Sequence, residues 1–259
     1  MLEKYKWVST VVLSLALLSS LDSIVSGQLR EGSIRPRRVL ASGIITDRLS
    51  NNDLQRWSRI KRIIFSTDAK GQPLHPILIG LWNEMACSPH AIYIEFGSST
   101  HPVTNTAGAF RIEVFDPQGR RHQAAIQLNP ETIDAALVGE CAARPNGLIP
   151  FQMLGKDERY AEVLGHEMAH ATSILGDQPL TKRVEEMVEQ TNKTILSQVK
   201  IYGNMMLTPE LRKRIDQRDG LLLELEQHAE AVELSVWREI IRGREERIRT
   251  PQRNFPTSY

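Results

Sequence analysis

Only two cysteines occur in the 259 residues of this chain. That excludes a disulfide-dense scaffold, and the spacing of Cys87 and Cys141 matches no thiolate metal site. No charge of one sign dominates. The chain has 32 basic and 31 acidic side chains, for a formal net charge of +1. Such a balance creates no overall field to steer nucleic acid or an anionic membrane toward the protein, and neither is expected as a partner. Runs long enough to cross a bilayer are missing too: the apolar stretch VSTVVLSLALLSSL, residues 8–21, falls short of the roughly 20 residues a span requires. Nothing repeats, and no segment is strongly low-complexity.

What is present begins with that short apolar stretch. Lys4 and Lys6 precede it and the small residues Val25-Ser26-Gly27 follow, which is the layout of a secretory signal cleaved before Gln28. Residues 1–27 therefore read as a signal peptide and the mature protein as secreted or periplasmic, with no stable membrane span after cleavage. Neither cysteine lies near the signal, which argues against a lipid anchor. In an oxidising compartment Cys87 and Cys141 are expected to form one disulfide, worth about 4 kcal/mol by loop-closure entropy; two separate buried thiols are the other reading.

Residues 28–49 are basic and contain proline and glycine, as a flexible arm would. A single domain is expected over 50–249, β-rich over 60–128 and helical over 129–249, followed by a disordered tail over 250–259. SNNDLQRWSRIKRIIF opens with capping residues and spaces Leu54, Trp57, Ile60 and Ile64 at helical intervals. ILIGLW, AIYIEF, AFRIEVF and QAAIQL are short apolar or alternating runs that read as strands. The last two flank Asp116-Pro117-Gln118-Gly119, a type I turn sequence, and should form an antiparallel hairpin. The period then lengthens. Asn129-Pro130 opens a short helix to about Gly139, and further helices are expected over 157–175, over 181–200 with Val184, Met187, Val188, Thr191, Ile195 and Val199 inward, and from Thr208-Pro209-Glu210 onward with a break near Gly220. The fold class is α+β: a small antiparallel or mixed sheet, then a helical part.

The helix over 157–175 holds VLGHEMAHAT, residues 163–172. His166 and His170 lie one turn apart on one face, where both imidazoles can reach one ion. Glu167 is turned roughly 100° away, beside a water on that ion but outside a ligand position. It can take the water's proton and hand it to a leaving amine. Random placement of 7 histidines and 21 glutamates in this chain gives roughly 0.015 such H-E-x-x-H pentapeptides, so accident is a poor explanation. Gly165 adds no bulk, and Met168, Ala169 and Ala171 suit a helix buried at the floor of a cleft.

These residues resemble the zincins, zinc metallopeptidases built around such a helix; Thr172 stands where an apolar residue is usual. The resemblance implies one Zn2+, held by His166 and His170, with Glu167 as general base and a peptide or protein as substrate. The metzincin extension would need glycine and histidine where Ser173 and Gly176 stand, which leaves a glutamate ligand on a later helix, as in gluzincins. Glu189 lies nineteen residues after His170 in charged surroundings. Glu226-Gln227-His228-Ala229-Glu230 resembles the ligand helix of the CAAX-processing type, with Glu226 as ligand. Glu230 replaces the aspartate that supports a ligand histidine there, and is also the alternative ligand. Along this segment Glu226, Glu230, Glu233 and Trp237 form a stripe beside the apolar Leu222, Leu225, Ala229, Val232 and Val236, so carboxylates can point inward to a cation. Further candidates are His228 and Tyr202 as oxyanion donors, and AIYIEF or TNTAGAF as a strand that pairs with extended substrate. His75, His90, His101 and His122 show no ligand spacing, and the sequon at Asn192 falls within an expected helix. The contrasting reading is a non-catalytic secreted or envelope binding protein whose metal site is structural or lost. Oligomeric state is not legible.

Overall fold

Ser50 closes the first helix before any tertiary contact is needed. Its hydroxyl accepts the Asp53 amide at 3.3 Å, satisfying one of the donors that a helix start leaves open. The computed structural model describes residues 42–97, 107–115, 121–136, 142–144, 147–149, 154–176, 178–202 and 208–249. The signal peptide, most of the expected arm, the hairpin turn at Asp116–Gly119, Cys141 and the C-terminal tail lie outside these residues, and with Cys141 so does the expected disulfide. Cys87 is exposed at the end of a helix.

Six strands and six helices are described: β1 Gly43–Ile45, α1 Asn51–Ile64, α2 Pro76–Ala86, β2 Ala91–Phe96, β3 Gly108–Phe115, β4 Arg121–Leu128, α3 Pro130–Ala136, β5 Ala142–Arg144, β6 Gly147–Ile149, α4 Lys156–Leu175, α5 Pro179–Tyr202 and α6 Pro209–Arg249. The main sheet has the order β1-β2-β4-β3. The expected hairpin is there, with Phe110 opposite Ile126 in the antiparallel β3–β4 pair. Its second strand inserts beside β2 in parallel, with Ile92 on Ala124 and Ile94 on Ile126, so the sheet is mixed. β1 adds a further parallel strand within the stretch read as an arm. Strand periodicity separates the faces. Ile92, Ile94, Ala124, Ile126 and Leu128 are buried in the core, while Glu95 is clasped on the other face by Arg48 at 2.7 Å and Arg111 at 2.6 Å. Burial pushes the Glu95 carboxyl up, but the two guanidinium groups outweigh it and hold the pKa below the usual value.

Two expectations fail for identifiable reasons. ILIGLW is helical, not extended: it lies in α2, whose first residue is Pro76. A short apolar run fits a buried strand and a buried helix equally, and the proline at the first helical position was the deciding local signal. The break near Gly220 does not occur either. α6 runs through it for 41 residues, because a glycine costs an otherwise well-formed helix only about 1 kcal/mol. Leu54 is 39% exposed and Ile63 is buried in its stead, and Val199 lies outside the buried part of the α5 stripe, which covers Val184, Val188 and Thr191. Asn129 caps α3 as expected, its Oδ1 accepting the Glu131 amide at 3.1 Å.

α4 is the centre of the packing. It touches α1, α2, α3, β3, β4 and α6, and every residue from Arg159 to Ala171 is buried. Gly165 makes this close packing possible: a Cβ there would meet Val236 Cγ2 at 3.1 Å and Leu78 Cδ2 at 3.2 Å. α4 and α6 run antiparallel, since His170, His166 and Glu158 meet Glu226, Glu233 and Arg244 in reverse numerical order. α6 also secures α2. Both Glu239 carboxylate oxygens accept the Ile77 amide, at 3.0 and 3.1 Å, at the open end of that helix. Glu239→Ala is expected to lower unfolding free energy by about 1–2 kcal/mol, read as a lower urea midpoint at unchanged slope.

Candidate metal centre

Three donor side chains converge where α4 meets α6. His166 Nε2 and His170 Nε2 are 3.1 Å apart. Glu226 reaches both, with Oε1 at 3.3 Å from His166 Nε2 and Oε2 at 3.2 Å from His170 Nε2. The two histidines stack edge to face, as a one-turn offset on a helix requires. Two ligands on a tetrahedral ion with bonds of 2.0–2.1 Å stand about 3.4 Å apart, close to the 3.1 Å between the two nitrogens and the 3.2–3.3 Å from each nitrogen to a different Glu226 oxygen. Among the described residues, these three form the one group of histidine, cysteine or acidic side chains gathered closely enough to hold a metal ion.

The reverse side of His166 explains which way its lone pair points. Its Nδ1 lies 2.9 Å from Glu233 Oε2. A neutral His166 that donates Nδ1–H to this carboxylate presents a bare Nε2 to His170 and Glu226. In that state the lone pairs of both imidazoles and of Glu226 face one another and repel unless a metal ion or a proton lies between them. With both imidazoles neutral and every carboxyl ionised, buried Glu162, Glu167, Glu226 and Glu233 against the single guanidinium of Arg159 leave three formal negative charges in excess.

The same surroundings shift the titrating groups. Burial pulls the His166 imidazole down, but Glu233 and Glu226 outweigh it and hold its pKa well above the usual value. Burial pushes Glu226 up, yet hydrogen bonds from His166 and His170 win and hold its carboxyl below the usual carboxylate range. Glu167 goes the other way: burial raises it, and the neighbouring imidazoles only partly offset that. A general base needs such a raised affinity for the proton it takes.

Glu167 points toward the sheet. A Cβ on Gly108, the first residue of β3, would come within 2.7 Å of Glu167 Oε1 and 2.8 Å of its Cγ. Glycine is therefore what lets the strand pass beside this carboxylate. β3 is an edge of the main sheet, paired with β4 alone among the described residues.

No family model, curated protein or solved structure matches the chain.

The residues singled out in the sequence thus divide. His166, His170 and Glu226 come together, with Glu167 beside them. Glu189 does not join them: it is exposed and paired with Lys193 at 2.5 Å. His228 is exposed, and the Tyr202 side chain lies outside the described residues. Glu230 is half-buried on α6 but outside the converging group, and the carboxylate on His166 is Glu233. Helical geometry gives the reason. Position i+7 returns to within about 20° of Glu226, whereas i+4 is displaced by about 40°, and the antiparallel partner runs along the former line. Glu233 was on the acidic stripe in the sequence, and the seven-residue step was the signal that could have selected it. Arg159, Glu162 and Gly108 had no sequence signal of their own.

Proposed function

We propose that this chain is an exported zinc metallopeptidase, with His166, His170 and Glu226 holding one zinc ion and Glu167 as general base. The observation that carries the reading is the convergence of two imidazole nitrogens and one carboxylate, with separations of 3.1 Å between the nitrogens and 3.2–3.3 Å from each to a Glu226 oxygen, flanked by a buried carboxylate in no ligand position. Three protein ligands leave a place for water and substrate, as hydrolytic sites require. Two imidazoles and one carboxylate also favour zinc over hard, all-oxygen cations. When bound, the ion supplies Lewis acidity, making water more acidic and polarising the scissile carbonyl.

The chain's own groups supply the rest. Glu167 accepts a proton from the attacking water at its carboxylate and returns it to the nitrogen of the departing amine. Its burial keeps bulk water from competing for that proton, and the crowded approach of Gly108 fixes where the carboxylate lies. Glu233 holds the His166 ring in the orientation that turns Nε2 inward. Of the strands first considered for substrate, AIYIEF is β2, an inner strand paired with β4 along its length and with β1 over Ala91–Tyr93. The start of β3 is the better place, because an extended peptide added to this edge would pass beside Glu167.

Gly108→Ala tests this arrangement without touching a ligand. The added methyl displaces Glu167, and activity on an unstructured fluorogenic protein substrate should fall on the order of 10²-fold, with zinc content unchanged by elemental analysis. Unimpaired turnover in that variant would separate β3 from the chemistry.

A further inference from the structure

Glu233 meets two of its partners through different oxygens. Oε2 accepts from His166 Nδ1 at 2.9 Å, and Oε1 lies 3.7 Å from Arg159 NH1. Arg159 is itself buried on α4, two turns before His166, and its NH1 also meets Glu162 Oε2 on its own helix. Glu162 is fully buried, and its Oε1 has no hydrogen-bond partner among the described residues. One guanidinium therefore serves two desolvated carboxylates, one from each of the two helices that build the metal centre.

An arginine needed only to neutralise Glu162 could do so within α4, as an i, i+3 pair. The reach across to α6 has a different consequence. A glutamate has three rotatable bonds, and each charged contact added to its carboxylate narrows the swing that a hydrogen bond to an imidazole allows. The ion pair at the second oxygen restricts it in this way. We propose that Arg159 is a positioning residue: anchored by Glu162, it aims Glu233 at His166 Nδ1 and so sets the His166 ring for a cation at Nε2. The arrangement runs from Glu162 through Arg159 and Glu233 to His166, and every member is nine-tenths or more buried. The consequence for metal affinity rests on the zinc reading; the hydrogen bond at Nδ1 does not.

The test uses the full chain and two readouts. One is the slowly exchanging Nδ1 proton of His166 in nitrogen-15 NMR of metal-free protein. The other is zinc affinity by competition with a chromophoric chelator. Arg159→Met alone would strand two buried carboxylates, so the informative variant is Arg159→Met with Glu162→Gln, compared with Glu162→Gln alone. Glu162→Gln should keep the Nδ1 proton signal. The double variant should lose it and bind zinc about 10–100-fold more weakly. A folded double variant with the wild-type signal and affinity would overturn the proposal, leaving Arg159 as no more than the partner of Glu162. If the double variant does not fold, Arg159→Lys takes its place, since lysine keeps the charge but is one bond shorter, so its ammonium falls short of the NH1 position that meets both carboxylates. A shifted or lost Nδ1 signal is then expected, and an unchanged one overturns the proposal. Should the wild-type protein bind no zinc, the metallopeptidase reading fails, while the Nδ1 signal still decides the role of Arg159.

Discussion

On the proposed mechanism, Glu167→Gln is expected to yield a folded protein with its full complement of zinc and almost no hydrolytic activity. The amide keeps the size of the side chain and its place beside Gly108, but it cannot accept a proton from water. General-base catalysis contributes about 10²–10⁴-fold, so kcat/KM on an unstructured protein substrate should fall by that factor. Burial has already raised the proton affinity of this carboxyl, and loss of a tuned group is felt in kcat more than in KM. Zinc measured by elemental analysis separates this outcome from loss of the site. Full activity in the variant would refute the mechanism.

Zinc removal is the second large effect. An ion that binds only the folded state stabilises it by about 4 kcal/mol when present at a thousand times its Kd. Chelation should accordingly lower Tm by several degrees and abolish hydrolysis, and zinc should restore both. Glu226→Ala should behave as chelated protein whether or not zinc is added. Glu189→Ala should be indistinguishable from wild type, because Glu189 is an exposed partner of Lys193, and such pairs contribute roughly 0–1 kcal/mol. A zinc-dependent Tm that survived Glu226→Ala would remove that residue from the ligand set. The pH dependence has a definite sign. His166 without zinc holds its proton to higher pH than an ordinary imidazole. Zinc needs that nitrogen bare, so apparent affinity weakens as pH falls through the raised His166 value, and binding releases protons.

Local chemistry made much of this legible before any coordinates. The hairpin could be read from alternation around a turn sequence, and α4 from its period. Glu226 could be found because a carboxylate beside a packing stripe must point either to solvent or to a cation. ILIGLW was ambiguous because six apolar residues carry no period, and only Pro76 distinguished the two states. Glu233 was missed for a different reason. Which acid on a stripe backs a given histidine depends on the direction in which two helices cross, and that is a property of the pair. Gly108 and Arg159 are further cases: a close approach and a three-way charge contact exist only after folding.

On the proposed metal reading, the uneven count of buried charges would make the interior selective by valence. A singly charged ion between α4 and α6 would leave two of the three surplus negative charges uncompensated in a medium that solvates them poorly. A doubly charged ion leaves one, and the paired imidazoles then discriminate among such ions in favour of the softer ones. Sodium and potassium, however abundant, would then be poor competitors, and calcium and magnesium would be disfavoured by ligand type.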